Sequence, residues 1–179
     1  MRAGYGMSRG KSEDCVAVIG LGYVGMPVAL EAVRVGLPVI GFDVSETVVG
    51  GLNAGVSHID DLTDGDVQFM LGKGFRALSD AAALSDAAVV VICVPTPLDK
   101  DLGPNLEAVE AAGRSVAGNL RAGQLIVLES TSYPGTTEEV LQPILESSGL
   151  KAGEDFALAY SPERIDPGND AFQLRNTPK

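Results

Sequence analysis

The chain has 179 residues, 45% of them apolar, which fits one domain able to bury a sizeable core. Its 13 Lys and Arg stand against 24 Asp and Glu, a formal net charge of −11. Such a surface repels phosphate backbones and anionic lipid, so no nucleic-acid or membrane partner is expected, and no apolar run approaches the roughly 20 residues of a membrane span.

Residues 1–13 mix Gly, Ser and charge without an apolar centre. They read as a disordered leader rather than a signal peptide, which makes the cytoplasm the expected compartment. Residues 15–20 then form a first buried strand, followed by a helix over about 24–35 that stops at Gly36. A second strand over 38–43 leads to a short helix capped by Ser45 and running to about Leu52. Asp64 is the expected cap of a helix through residues 69–71, and 75–78 reads as a short third strand. Residues 88–94 are the clearest buried strand. Asn105 is expected to cap a helix to about Leu120, and 124–129 is the fifth strand. Thr136 and Glu139 have the Thr-x-x-Glu spacing of a capping box, predicting a helix to about Ser147 before a last strand over 156–159. Short β-branched runs alternating with helices predict an α/β fold, a single-domain doubly wound parallel sheet of six strands in the order 3-2-1-4-5-6. Ligands of such sheets lie at the carboxyl ends of the strands, near the switch between the first and the fourth. The domain is expected over 14–170, with 171–179 as the start of a linker to a further domain. Cys15 and Cys93 fall in apolar runs, show no metal spacing or disulfide framework, and read as small hydrophobes in a reducing compartment. No metal site is expected.

Gly20-Leu21-Gly22-Tyr23-Val24-Gly25 is a G-x-G-x-x-G run between a strand and a helix, and Asp43 closes the next strand. This is the dinucleotide fingerprint of a Rossmann fold. Gly20 permits the turn out of the strand, Gly22 lets a pyrophosphate approach the backbone, and Gly25 lets the helix pack close to the sheet. The helix N-terminus offers free N–H groups and partial positive charge, so one anionic cofactor can bind despite the acidic surface. Pro27 fits the first helical turn, where its missing N–H costs little. Asp43 can accept both ribose hydroxyls and repels a 2′-phosphate, favouring NAD over NADP. The alternative is a structural glycine turn with Asp43 as a strand-end cap.

Three further motifs follow strands: Cys93-Val94-Pro95-Thr96-Pro97, the run Glu129-Ser130-Thr131-Ser132-Tyr133-Pro134-Gly135-Thr136-Thr137, and Tyr160-Ser161-Pro162-Glu163-Arg164-Ile165-Asp166-Pro167-Gly168-Asn169. With residues 20–27 they resemble the UDP-glucose/GDP-mannose dehydrogenase family over roughly residues 14–179. The last motif, with Ser57-His58-Ile59-Asp60-Asp61, is most similar to its UDP-N-acetylglucosamine 6-dehydrogenases. The resemblance implies oxidation of the C6 alcohol of a UDP-sugar to a carboxylate by two NAD, with a cysteine thiolate carrying the intermediate, in a pathway of polysaccharide precursors. It implies that the backbone of Tyr23 and Val24 meets the pyrophosphate, that Asp43 accepts the ribose, and that Thr96 contacts the cofactor. It also implies that Thr131 lies near the nicotinamide and a catalytic water, and that Glu163 is the base for thioester hydrolysis. Each has a plainer alternative: Thr96 and Thr131 as turn-shaping residues, Glu163 as a solvated carboxylate or a partner of Arg164. His58 reads as a surface or packing residue away from any ligand cluster.

Two departures stand out. The family's basic residue five positions after the ribose-binding Asp is Val48 here, which predicts weak NAD binding. The family's catalytic cysteine and most of its UDP pocket belong to a carboxy-terminal domain that lies beyond Lys179. Buried Cys15 and Cys93 cannot replace that cysteine. The expectation is therefore a fragment that binds NAD without oxidising sugar, from a protein whose complete form is a homodimer or larger homo-oligomer. Two other functions compete: a free-standing NAD-binding or redox-sensing module, and a 3-hydroxyacid dehydrogenase-like Rossmann enzyme.

Overall fold

The computed structural model describes residues 14–98 and 103–162. The expected leader, Glu163 and the expected linker start lie outside them. Six parallel strands form one sheet: β1 (Val16–Ile19), β2 (Val39–Phe42), β3 (Arg76–Leu78), β4 (Val89–Ile92), β5 (Leu125–Leu128) and β6 (Ala157–Tyr160). Their order is β3-β2-β1-β4-β5-β6, as the strand–helix alternation predicts. β1 lies at the centre, with Val16 opposite both Val39 of β2 and Val89 of β4.

Alternation along β1 feeds two cores. Cys15, Ala17 and Ile19 join one face, with Val109, Ala112 and Val116 of α4 (Glu107–Ala117). Val16 and Val18 join the other, with Met26, Ala29, Leu30 and Val33 of α1 (Gly25–Arg34). The buried positions of α1, 26, 29, 30 and 33, make the i, i+3, i+4, i+7 stripe that seats a helix on a sheet. In α4 the stripe is 109, 112, 113 and 116, and Gly113 sits where an added Cβ would come 2.9 Å from Leu141 Cδ1. A strand buried on both faces explains the unbroken apolar runs of β1 and β4.

The caps differ from expectation at three places. Ser45 does cap α2 (Glu46–Asn53), its Oγ accepting from the Val48 N–H at 3.3 Å. For α3 (Asp64–Gly72), however, the cap is Thr63 and not Asp64. Thr63 Oγ1 accepts from the Asp66 N–H, and Asp66 Oδ2 accepts from the Thr63 N–H, which closes a capping box one residue earlier. Asp64 turns outward and accepts from the Ser57 N–H at 2.8 Å. Asn105 accepts from the Glu107 N–H at 2.8 Å, but the N-cap position of α4 is Leu106. The box expected at Thr136 and Glu139 does not form. Gly135 takes the left-handed conformation at φ 98°, and Thr136 Oγ1 donates instead to the Tyr133 carbonyl at 2.8 Å. The single helix expected there is a π-helical turn, Thr136–Leu141, followed by α5 (Gln142–Glu146). A 3₁₀ turn over Ala81–Asp86, unmarked by the sequence reading, precedes β4.

Candidate cofactor site

The carboxyl ends of β1, β2 and β4 meet at the glycine loop. Gly20 leaves β1 at φ +87°, and its N–H donates to the Phe42 carbonyl at 2.9 Å, so the turn begins while the β1–β2 ladder is still closed. A Cβ on Gly20 would lie 2.7 Å from the Cys93 carbonyl oxygen, so β4 presses directly on the turn. At Gly25 it would fall 1.8 Å from the Gly20 carbonyl oxygen and 3.1 Å from Val18 Cγ1. Only a missing side chain lets α1 start this close to β1. Gly22 is the opposite case: an added Cβ meets no atom within 4 Å. There the absent side chain serves no internal packing, and the loop backbone faces open space. Among the described residues, the N–H groups of Gly22, Tyr23 and Val24 find no acceptor. A bare loop with outward amides at the start of a ten-residue helix suits a pyrophosphate.

Leu21 lies between those glycines and anchors the loop from below. It is fully buried, and Gly41 of β2 makes room for it, since a Cβ there would come 2.8 Å from Leu21 Cδ2. Gly41 belongs to the site's scaffold although the sequence reading passed over it. A glycine inside a strand signals such a close approach. Asp43 locks the loop from above. Its Oδ2 accepts from the Leu21 N–H at 2.9 Å and its Oδ1 from the Ser45 N–H at 2.9 Å.

These elements border a cleft of about 600 Å³. Its lining includes Gly20, Gly22, Tyr23, Val24 and Asp43 among the predicted residues, together with Val48 and Cys93. Ala108, Ala111, Ala112 and Ser115 of α4 form one wall. Small side chains on that wall leave width for a flat group. His58 is exposed, as expected of a surface residue, and lines the rim of the cleft. The glycine loop, the acidic strand end and the cleft fit a dinucleotide.

The other predicted residues are arranged differently. Thr96 is half-buried in the turn after β4, between exposed Pro95 and Pro97, and is not part of the cleft lining. Thr131 is exposed just after β5. The residue before it holds the two turns together: Ser130 is buried and its Oγ donates to the Val94 carbonyl at 2.7 Å. Thr96 and Thr131 therefore share the carboxyl edge with the cleft but do not enter it. Glu163 lies beyond the described residues; the last ladder bond before it runs from the Ser161 N–H to the Leu128 carbonyl at 2.9 Å. A larger hollow of about 780 Å³, lined by Ser132, Tyr133, Gly135 and Tyr160 among others, lies beside β6 and contains no predicted site residue.

Both cysteines are 5% exposed. Burial pushes the Cys15 thiol up, the Asp86 charge adds to that, and Arg76 opposes it. A thiol held protonated is a poor nucleophile. Among the described residues no group of three or more His, Cys, Asp and Glu could hold a metal ion, and no helix is long and apolar enough to cross a membrane.

Comparison with known proteins narrows the reading. Residues 14–179 match the NAD binding domain of the UDP-glucose/GDP-mannose dehydrogenase family. The chain is 37% identical over 166 residues to the UDP-N-acetyl-D-glucosamine 6-dehydrogenase of Pseudomonas aeruginosa, covering 92% of this chain and 38% of that protein. The solved UDP-D-ManNAc dehydrogenase of Pyrococcus horikoshii superposes with a TM-score of 0.81 at 39% identity, over 86% of this chain and 37% of that one. A ternary complex of GDP-mannose dehydrogenase from Pseudomonas aeruginosa gives 0.80 at 33% identity, over 84% and 36%. The chain thus spans under two-fifths of the length of each of these relatives.

Proposed function

Because this chain belongs to the UDP-glucose/GDP-mannose dehydrogenase family, whose NAD-binding domain it matches, we propose that it holds NAD for the oxidation of the C6 alcohol of a UDP-sugar, UDP-N-acetylglucosamine before others. The observation that carries the cofactor part is the contrast between Gly22 and Gly25. A side chain at Gly25 has no room inside the chain, whereas one at Gly22 would meet only open space, which supports a pyrophosphate approaching the backbone there. Bound NAD supplies the hydride acceptor. This chain's residues position it: the amides of Gly22, Tyr23 and Val24 face the pyrophosphate, and Asp43 takes the adenosine ribose. We assign Thr96 to contact with the cofactor from the turn after β4. Thr131 orders a water at the nicotinamide end, and Glu163 takes a proton from the water that releases the product.

The sugar is supported by the names of relatives, among which UDP-N-acetyl-D-glucosamine and UDP-N-acetyl-D-mannosamine dehydrogenases both occur. We propose that the nucleophilic cysteine comes from outside these residues, since burial disqualifies Cys15 and Cys93. Membership of the family sets aside the 3-hydroxyacid dehydrogenase reading.

Calorimetric titration of the chain with NAD and NADP tests the cofactor. Saturable NAD binding, weaker for NADP, is the expected result, and no binding at millimolar NAD sinks the assignment. For the sugar, a protein carrying this domain together with the rest of its reading frame is assayed for NADH with UDP-N-acetylglucosamine, UDP-N-acetylmannosamine and UDP-glucose. Two NADH per UDP-N-acetylglucosamine is expected. Turnover of another sugar alone overturns the choice of substrate.

A further inference from the structure

We infer that His58 is the outer wall of the slot for the adenine base, and that it makes up for the absence of a long side chain at Val48. The inference rests on the NAD reading above. The base hangs from the ribose that Asp43 receives, so it must lie close to Asp43 and away from the glycine loop. Apart from that loop and the ends of β2 and β4, the cleft draws its lining from the α4 face, Val48 and His58. The α4 face offers only Ala108, Ala111, Ala112 and Ser115, which are too small to grip a base. Val44 and Val48 add short aliphatic groups. Three aromatic rings line the cleft: Phe42 is buried at the end of β2 and Tyr23 belongs to the phosphate loop, which leaves the exposed ring of His58.

His58 is exposed, but its backbone is fixed. The Ser57 N–H donates to Asp64 Oδ1 at 2.8 Å, Ser57 Oγ donates to the Ile59 carbonyl at 3.0 Å, and Oγ accepts from the Ile59 N–H at 3.3 Å. Ile59 and Leu62 are each 5% exposed and anchor the segment in the core. A chain held this firmly on both sides, with a flat ring left out beside a cleft, is built as a stacking platform. Bases stack on aromatic rings with little dependence on sequence, and removing such a ring weakens binding by about tenfold or more.

The test is calorimetry on the 179-residue chain with NAD and with ADP-ribose, which keeps the adenosine end and lacks nicotinamide. His58→Ala is expected to weaken both about tenfold, and His58→Phe to recover most of that loss because a ring remains. The thermal midpoint stays within a degree or two across the three proteins. Unchanged NAD affinity in His58→Ala overturns the inference, as does a loss for NAD that ADP-ribose does not share. A loss that tracks a falling midpoint and that Phe does not rescue assigns His58 to folding and also overturns it. Failure of the unsubstituted chain to bind either ligand overturns the NAD reading itself, and this inference with it.

Discussion

The two halves of the sheet carry their candidate residues in opposite ways. On the β1–β2–β3 side the site is made of backbone, glycines and one carboxylate, packed or hydrogen-bonded to one another except at Gly22, which meets only open space. On the β4–β5–β6 side it is made of threonines in turns, Thr131 exposed and Thr96 half-buried, neither within the cleft. The first half is specified by its own packing. The second has a tied base, the Ser130 bond to Val94, with the two threonines set beside it. Mutations in the two halves should therefore separate stability from function to different degrees.

The sharpest break comes from Gly25→Ala. Its Cβ has nowhere to go against the Gly20 carbonyl, so α1 must shift, and the loss in a urea melt should reach about 3 kcal/mol or more, with NAD binding abolished. Asp43→Ala comes next. It removes an acceptor of two amides and the proposed ribose partner together, so NAD affinity measured by calorimetry should fall by about 1.5–3 kcal/mol and the preference over NADP should disappear. Gly22→Ala sharpens the contrast within one loop. Its methyl group meets nothing in the chain, so the melt should stay within about 1 kcal/mol while NAD affinity drops at least about tenfold.

Smaller effects lie further from the cleft. Thr63→Ala removes the α3 cap and should cost about 1 kcal/mol at neutral pH. The Thr63 hydroxyl, before backbone and Arg34 contributions, holds the Asp66 carboxyl below the usual range. A carboxyl lowered on folding adds stability above its unfolded value and loses it as pH falls through the folded value. The advantage of the unsubstituted chain over Thr63→Ala should thus shrink on the acid side in melts run as a pH series. Thr131→Ala, at an exposed turn, should change stability by less than about 0.5 kcal/mol. Should it cost as much as Gly25→Ala, the contrast between the halves is wrong.

The same contrast governs what the sequence revealed. The strand order and the fingerprint were legible because apolar periodicity and glycine spacing are local signals that the packing then obeys. Gly20 and Gly25 sit where a side chain has no room, and Gly22 sits against open space. Local signals misled where two competed. Thr63 and Asp64 are both good caps, and Asp66 decided between them by answering Thr63. At Thr136 the capping spacing is present, but left-handed Gly135 directs the hydroxyl back to Tyr133. Gly41 was passed over for a different reason, since its meaning depends on Leu21, which another segment places against it.

The double tie of Asp43 also limits what that residue can gain from a ligand. An ionised carboxylate has about four lone-pair directions, and the amides of Leu21 and Ser45 occupy one on each oxygen. Two are left, one for each hydroxyl of the ribose we propose for it, so that sugar would complete the set of acceptor bonds without displacing any bond already made. The loop's shape is then settled before cofactor arrives, and little ordering entropy is left to lose at the moment of binding. Differences in affinity among variants that keep this tie should appear as differences in how fast the nucleotide leaves, with arrival rates nearly constant.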